Sequence, residues 1–420
     1  MLEMLEYKNN ELFFENVNLN EIAKQFKTPI YIYSKNKIIS NYKLYEDNFK
    51  LNSINNYNIC YAVKANDNLS ILKLLASLKS GADTVSGNEI EKALIAGILP
   101  EKIVFSGVAK TTDELKYAIQ NSIGQINIES KEEFLNIIQI TKDLNKTANI
   151  SIRINPNIDA ETHEKITTGK KENKFGLDLE TVEEIIKLSK GNKLLSLKGL
   201  SVHIGSQITK LDKFEETFKF LLEIYENHPE FTTIDLGGGL GIQYREDDLI
   251  PSYEKFAKLI AKYFNSKPLK IIVEPGRSIV GDTGIFLTKV VYIKKTKTKN
   301  FAIIDGGMNN LIRPAMYDAY HHPLLLNILN NSKEIYDIVG PICESGDVFV
   351  KNIEMTTIKS GDCIAFLSAG AYGRSMASNY NLHNIAGELM IDNTSINVIR
   401  REINFKDLLE FEKNDWLLII

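Results

Sequence analysis

Eight stretches rich in apolar and β-branched residues alternate with amphipathic helical patterns through the first two-thirds of the chain. The strand candidates are 57–63, 80–85, 102–106, 124–129, 148–154, 198–204, 231–236 and 270–274. Helical patterns lie between them at 69–79, 87–97, 111–121, 131–145, 178–190, 211–227 and 252–264. Such alternation implies βαβ units and a parallel sheet. Eight strands in roughly 250 residues suit a closed (β/α)8 TIM barrel, here over 33–280, with an open doubly wound sheet as the alternative. Past about residue 281 the rhythm changes. Strand-like runs at 286–293, 300–305, 337–339, 363–366 and 397–400 have no helical pattern behind them. They predict a β-rich, sandwich- or barrel-like second domain over 281–420. Residues 1–32 are assigned to it too, with Leu12-Phe13-Phe14 as a short strand, a helical stretch from Asn20 and an extended run from Pro29 to Tyr33.

A length of 420 residues suits two domains, and a hydrophobic fraction of 44% can fill two cores. The net charge of −4 argues against a nucleic-acid partner. Cys60, Cys343 and Cys363 show no paired spacing, which fits a reducing compartment and gives no zinc motif. His321-His322 lacks the spacing of metal ligands, so no metal is expected. No run resembles a signal peptide or a membrane span, and a soluble cytoplasmic protein is the expectation.

In a (β/α)8 barrel the C-terminal strand ends converge on one face, where active sites lie. The chemistry-bearing residues fall at those ends. The first strand leads into Tyr61-Ala62-Val63-Lys64-Ala65-Asn66, with a lysine where the strand should stop. A lysine in such a site can lose its charge and form a Schiff base with an aldehyde; alone, it would more often be a surface lysine. The second strand leads to Asp83, the fifth carries Arg153, and the sixth ends in His203-Ile204-Gly205-Ser206-Gln207. The seventh ends in Asp235-Leu236-Gly237-Gly238-Gly239-Leu240-Gly241 and the eighth in Glu274-Pro275-Gly276-Arg277. Glycines and an arginine after the last two strands match the usual phosphate position of this fold. His203 could stack on a planar ring, and Glu274 could hold a ring nitrogen protonated. Aldehyde-binding amine, phosphate cradle, stacking ring and carboxylate together describe a site for pyridoxal 5'-phosphate. In the second domain, Arg313-Pro314-Ala315-Met316-Tyr317, Cys343-Glu344-Ser345-Gly346-Asp347 and Gly370-Ala371-Tyr372-Gly373 remain to be placed. A cysteine is usually a small buried residue, but one flanked by turn and charged residues is harder to explain by packing.

These motifs, with Arg153-Ile154-Asn155-Pro156 and Lys174-Phe175-Gly176, resemble the diaminopimelate decarboxylases over nearly the whole chain. These are fold-type III pyridoxal-phosphate enzymes related to alanine racemase and eukaryotic ornithine decarboxylase. The Arg-Pro-x-x-Tyr stretch and the long 153–176 segment are the more specific part of the resemblance. The resemblance implies that Lys64 carries the cofactor, His203 stacks on its ring and Glu274 meets its nitrogen. It gives Ser206, Gly239, Gly276, Arg277 and Tyr372 to the phosphate, with Asp83 and Gly238 among the cofactor contacts. It gives Arg277, Arg313, Tyr317, Glu344 and Tyr372 to the substrate. Cys343 would be the proton donor, reaching in from the partner of a homodimer with shared active sites. The implied reaction removes the D-centre carboxylate of meso-2,6-diaminopimelate, leaving L-lysine and carbon dioxide, the last step of lysine biosynthesis.

The family often has an Asn-Ser-Arg-Pro-Arg run where this chain has Asn381-Leu382-His383-Asn384-Ile385, and the 305–309 turn also departs slightly from the usual form. The nearest rival is a decarboxylase of ornithine, arginine or carboxynorspermidine; Arg313 with Tyr317 argues against the first two. A racemase needs bases on both ring faces and leaves Cys343-Glu344 unexplained. A non-catalytic cofactor-binding regulator would typically have lost Lys64 or Cys343.

Overall fold

The computed structural model describes residues 4–159, 174–328 and 332–412. Residues 160–173 of the 153–176 segment lie outside the described residues. The chain divides into two compact units. One comprises Ile39–Gln243 and Asp248–Ile279; the other runs up to Ile38, takes in Tyr244–Asp247, and resumes from Val280.

The first unit is a closed parallel barrel of eight strands in chain order. They are β1 (Tyr57–Ala62), β2 (Gly81–Thr84), β3 (Ile103–Phe105), β4 (Gln125–Ile128), β5 (Ala148–Arg153), β6 (Leu195–Ser201), β7 (Thr233–Asp235) and β8 (Lys270–Val273). Pairing of Ile271 with Tyr57 brings β8 onto β1 and closes the ring. This settles the choice between barrel and open sheet. Parallel strands need a crossover, and each helical pattern supplies one. Helices Leu69–Ser77, Gly87–Ile95, Lys131–Leu144, Leu179–Ser189 and Tyr253–Phe264 start behind Asn68, Ser86, Ser130, Asp178 and Ser252, whose side chains accept backbone N–H groups. Thr111 and Glu114 form a capping box at the start of Thr112–Gln120. Helix Leu211–Asn227 has no side-chain cap and is held by its apolar stripe. Phe214, Phe218, Leu221 and Tyr225 recur at helical spacing on its buried face. Phe214 meets Phe256 of the next helix edge-on at 5.1 Å. Each such buried ring contributes about 1.5–3 kcal/mol.

The second unit holds a nine-stranded mixed sheet. Its spine is the 12-residue strand Gly284–Lys295. Ile30–Ser34 and Cys363–Phe366 pair antiparallel with the first half of that strand, and Asn300–Ile304 with the second. Ile30–Ser34 pairs parallel with Gly387–Asp392 on its other side, so the N-terminal strand does join the later ones. Phe14, Leu19, Ile22, Ile32, Ile285, Leu287, Leu389 and Ile391 form its apolar core. Strands Val348–Thr356 and Gly387–Asp392 were not expected from the sequence, nor was the 17-residue helix Lys35–Leu51. That helix has a stripe of Ile38, Tyr42, Tyr45 and Phe49, diluted by lysines and asparagines. Among the described residues, no helix is long and apolar enough to cross a membrane.

β6 can lie against β7 only because residue 199 is glycine. A Cβ there would fall 1.8 Å from the Thr233 carbonyl oxygen. Gly199→Ala is expected to cost about 1–3 kcal/mol or more, since overpacking beside backbone cannot relax by rotamer change. Gly346→Ala, with only a side-chain atom at 3.9 Å, should stay within about 0.5 kcal/mol. Thermal melting of both variants checks this; equal melting temperatures would contradict it.

Candidate active site

Lys64 lies in a single 3-10 turn, Val63–Ala65, at the exit of β1. Its Nζ is 2.9 Å from Oδ2 of Asp83 on β2. The Asp83 side chain is fully buried, while Lys64 remains 36% exposed. The amine is therefore tethered to a buried carboxylate on a side chain that still reaches solvent. Oδ1 of Asp83 has no hydrogen-bond partner.

Two more carboxyl groups are buried at neighbouring strand ends. Asp235 closes β7, and Glu274 follows β8. Asp235 accepts from the Gly237 N–H at 3.1 Å, from Gln125 Nε2 at 2.9 Å and from Asn127 Nδ2 at 3.4 Å. Oε1 of Glu274, by contrast, has no partner. Burial, then the Asp235 and Asp83 carboxyls, push the Glu274 carboxyl well up. Amide donors favour the ionised form of Asp235. The pair's proton therefore resides on Glu274, and its orphaned oxygen awaits a polar partner.

His203 lies just past β6, partly buried. Burial first, then the cations of Lys64 and Arg153, hold it well below the usual imidazole range. Its Nδ1 accepts the Gly238 N–H at 3.3 Å, so the neutral ring carries its proton on Nε2. A neutral flat ring suits stacking. Ser206 and Arg277, both given to a phosphate by the resemblance, meet directly: Arg277 Nη2 donates to Ser206 Oγ at 3.0 Å. Gly239 has φ +111°, and a Cβ there would lie 2.5 Å from the Gly205 carbonyl. Only glycine lets the backbone run this close. Gly238 and Gly276 are likewise crowded, by the Glu274 carbonyl at 2.2 Å and by the Ala62 and Ala65 methyls at 3.0 Å. A cavity of about 380 Å³ opens among Lys64, Ser106, Arg153, Phe175, His203 and Glu274. An amine, a neutral ring, an unpartnered buried carboxyl oxygen and a glycine-lined arginine fit pyridoxal phosphate.

Sequence reasoning picked out Arg153 and Phe175 in the frame around this cavity but missed Glu129 and Lys110. Arg153 at the end of β5 pairs with Glu129 at 2.7 Å, and both side chains are buried. Glu129 also accepts the Gly107 N–H at 2.9 Å and the Gly176 N–H at 3.2 Å, and the Phe175 ring lies 4.8 Å from the guanidinium. Lys110 is buried too, paired with Glu133 at 2.7 Å. Glu129 stands one residue past β4 as Arg153 ends β5, which is the only sequence signal for the pair.

The remaining expected site residues belong to the other unit. Arg313 and Tyr317 bound a five-residue helix, with Arg313 buried and Tyr317 half-buried. Arg313 Nη1 lies 2.8 Å from His321 Nε2. Cys343 and Glu344 are exposed in the turn Gly340–Asp347. The Asp347 carboxylate ties that turn by accepting the Ile342 and Met308 N–H groups, each at 2.7 Å. The divergent 381–385 run supports it as well: the Cys343 N–H donates to Asn381 Oδ1 at 2.8 Å. Tyr372, between glycine-containing turns, has φ +55°.

Residues 35–281 match the family model described as pyridoxal-dependent decarboxylase, pyridoxal binding domain. The diaminopimelate decarboxylase of Aquifex aeolicus is 41% identical over 97% of this chain and 96% of its own length. The diaminopimelate decarboxylase structure from M. jannaschii in complex with L-lysine superposes with a TM-score of 0.92 at 37% identity, covering 98% of both chains. The Helicobacter pylori enzyme, also complexed with L-lysine, gives a TM-score of 0.88 at 41% identity over 94% of this chain and 99% of that one. With the barrel, its polar strand ends and this near full-length likeness in agreement, the chain belongs to the diaminopimelate decarboxylase family of pyridoxal-dependent decarboxylases.

Proposed function

We propose that this chain is a carboxy-lyase that converts meso-2,6-diaminopimelate to L-lysine and carbon dioxide, with pyridoxal 5'-phosphate held in the barrel. The observation that carries the reading is the Lys64–Asp83 pair beside the buried Glu274, in a chain 41% identical to a diaminopimelate decarboxylase over nearly its full length. In this reading residues 33–280 bind the cofactor, and residues 281–420 with 1–32 bring substrate and dimer contacts. The enzyme is cytoplasmic, in keeping with three free cysteines.

Pyridoxal phosphate, when bound, supplies an aldehyde for amines and a ring that accepts the electron pair left by departing carbon dioxide. Lys64 is the amine that anchors it, oriented by Asp83. Glu274 would meet the ring nitrogen with its carboxyl group, and neutral His203 would stack on the ring. Ser206, Arg277, Tyr372 and the backbone at Gly238, Gly239 and Gly276 bind the phosphate. Arg277 and Tyr372 would also serve the substrate. Arg313 and Tyr317 hold the distal carboxylate, and Glu344 the distal ammonium. The bond from the D-centre carbon to its carboxylate breaks, and Cys343 Sγ returns one proton to that carbon. A substrate without a distal carboxylate, such as ornithine, forgoes the two parallel bonds that a guanidinium makes to a carboxylate. This disfavours ornithine and arginine as substrates.

Incubation of purified protein with pyridoxal phosphate and meso-diaminopimelate labelled with 13C in the D-centre carboxylate should release labelled carbon dioxide and unlabelled L-lysine in equal amounts. Turnover of ornithine or arginine instead would sink the assignment.

The exposed Cys343–Glu344 turn supports a homodimer in which each turn serves the partner's barrel. Closed twofold symmetry then makes two equivalent shared sites. Lys64→Ala and Cys343→Ala should each be nearly inactive alone. In a mixed dimer one site collects both lesions and the other neither. Remixing equal amounts should restore roughly a quarter of wild-type activity, since half the dimers carry one sound site. Mixed dimers as inactive as either parent would exclude sharing.

A further inference from the structure

We propose that His321 is a positioning residue for the distal carboxylate of the substrate: it locks the Arg313 guanidinium in one orientation by accepting a hydrogen bond at Nε2. The inference rests on the reading of Arg313 as the carboxylate anchor.

His321 is 1% exposed and Arg313 5%. His321 Nε2 is 2.8 Å from Arg313 Nη1, and His321 Nδ1 is 2.8 Å from the Leu367 carbonyl oxygen. Neither partner leaves a choice of direction. A guanidinium only donates, and a carbonyl only accepts. The imidazole must therefore be neutral, with its proton on Nδ1 and its lone pair on Nε2. The backbone sets the ring in place. Strand Pro323–Leu325 pairs antiparallel with Cys363–Phe366, and the Leu367 N–H donates to the His322 carbonyl at 3.0 Å. That ladder ties the residue before the strand to the carbonyl that fixes the ring's tautomer. Tyr244 completes the setting: its ring is 4.8 Å from the Arg313 guanidinium carbon and meets the His321 ring edge-on at 5.6 Å.

A histidine here differs in kind from a carboxylate. A carboxylate would orient Arg313 equally well but cancel its charge and compete with the substrate carboxylate for the fork. A neutral acceptor uses one N–H and leaves the cation intact. Orientation matters because an arginine recognises a carboxylate through two parallel bonds in fixed geometry. The distal carboxylate does not react, so its grip is the same before and during the bond-breaking step. Losing uniform binding of this kind raises KM and spares kcat.

Two substitutions separate the bonds. H321N keeps a donor toward Leu367 and loses the acceptor for Arg313. H321Q places an amide oxygen near the Nε2 position. H321N should raise KM for meso-diaminopimelate about tenfold, the worth of one charge-assisted hydrogen bond, with kcat within about threefold of wild type. H321Q should have a KM at least about threefold below that of H321N. L-lysine keeps the distal carboxylate and its inhibition constant should rise with KM in H321N, whereas that of cadaverine, which lacks it, should stay constant. An H321N enzyme with unchanged KM, or a loss confined to kcat, overturns the proposal. R313A separates the two readings. If R313A leaves KM unchanged, the anchor reading falls and this one with it; if R313A raises KM but H321N does not, only the positioning role falls. A measurement on the wild-type enzyme covers the case in which H321N fails to fold. The chain has six histidines, so 15N-histidine NMR can resolve His321, assigned by its absence from H321Q. The proposal requires the Nδ1–H tautomer, and an Nε2–H or doubly protonated ring overturns it.

Discussion

Asp83, Asp235 and Glu274 are buried together at the C-terminal ends of barrel strands, and the Lys64 amine is paired with one of them, Asp83. Like charges at such range cannot all ionise in a desolvated site. The site resolves this by division of labour. Asp83 takes the ammonium, and Asp235 takes the amide donors of Gln125 and Asn127 with the Gly237 N–H. Glu274 is left to hold a proton with one oxygen unpartnered. Burying a carboxyl oxygen without a partner costs about 1–3 kcal/mol. A ring nitrogen that accepts that proton as it binds would recover the cost.

Closure of the barrel is what makes this crowding possible. Strand ends that are far apart in sequence, at residues 62, 84, 201, 235 and 273, are brought to one rim. The second buried pair, Glu129 with Arg153, serves the rim differently. It bonds to the N–H groups of Gly107 and Gly176, tying the exits of β3 and β5 together. Breaking such a buried pair from one side is far more damaging than its net worth suggests. In the β-rich unit the same economy recurs around Arg313, where a neutral imidazole orients a cation without neutralising it.

Much of this was legible in the sequence. The barrel elements stand within a few residues of their expected bounds because caps such as Ser86, Thr111 and Ser130 and the apolar periodicities agree. Lys64, His203, Glu274 and Arg277 were visible because each is a costly residue placed at a strand exit. The rest depends on contacts between distant residues. Nothing local marks Gln125 and Asn127 as partners of Asp235, more than a hundred residues away. Val348–Thr356 alternates with lysine, asparagine and glutamate on a largely solvated strand, which weakens its period-two signal. Helix Lys35–Leu51 hides its stripe among polar residues in the same way. His321 read as one of two adjacent histidines without ligand spacing. Its role emerges only when Arg313 and the Leu367 carbonyl are brought to either side of its ring.

The proposed account turns on Lys64 as the amine that holds the cofactor. The direct measurement is to reduce the pyridoxal-phosphate-loaded enzyme with borohydride, digest it and locate the pyridoxyl group by mass spectrometry. The account predicts one modified lysine, in the peptide containing Tyr61-Ala62-Val63-Lys64, and no covalent label in Lys64→Ala. A label on another lysine of the wild-type chain, or an undiminished label in the variant, would contradict it.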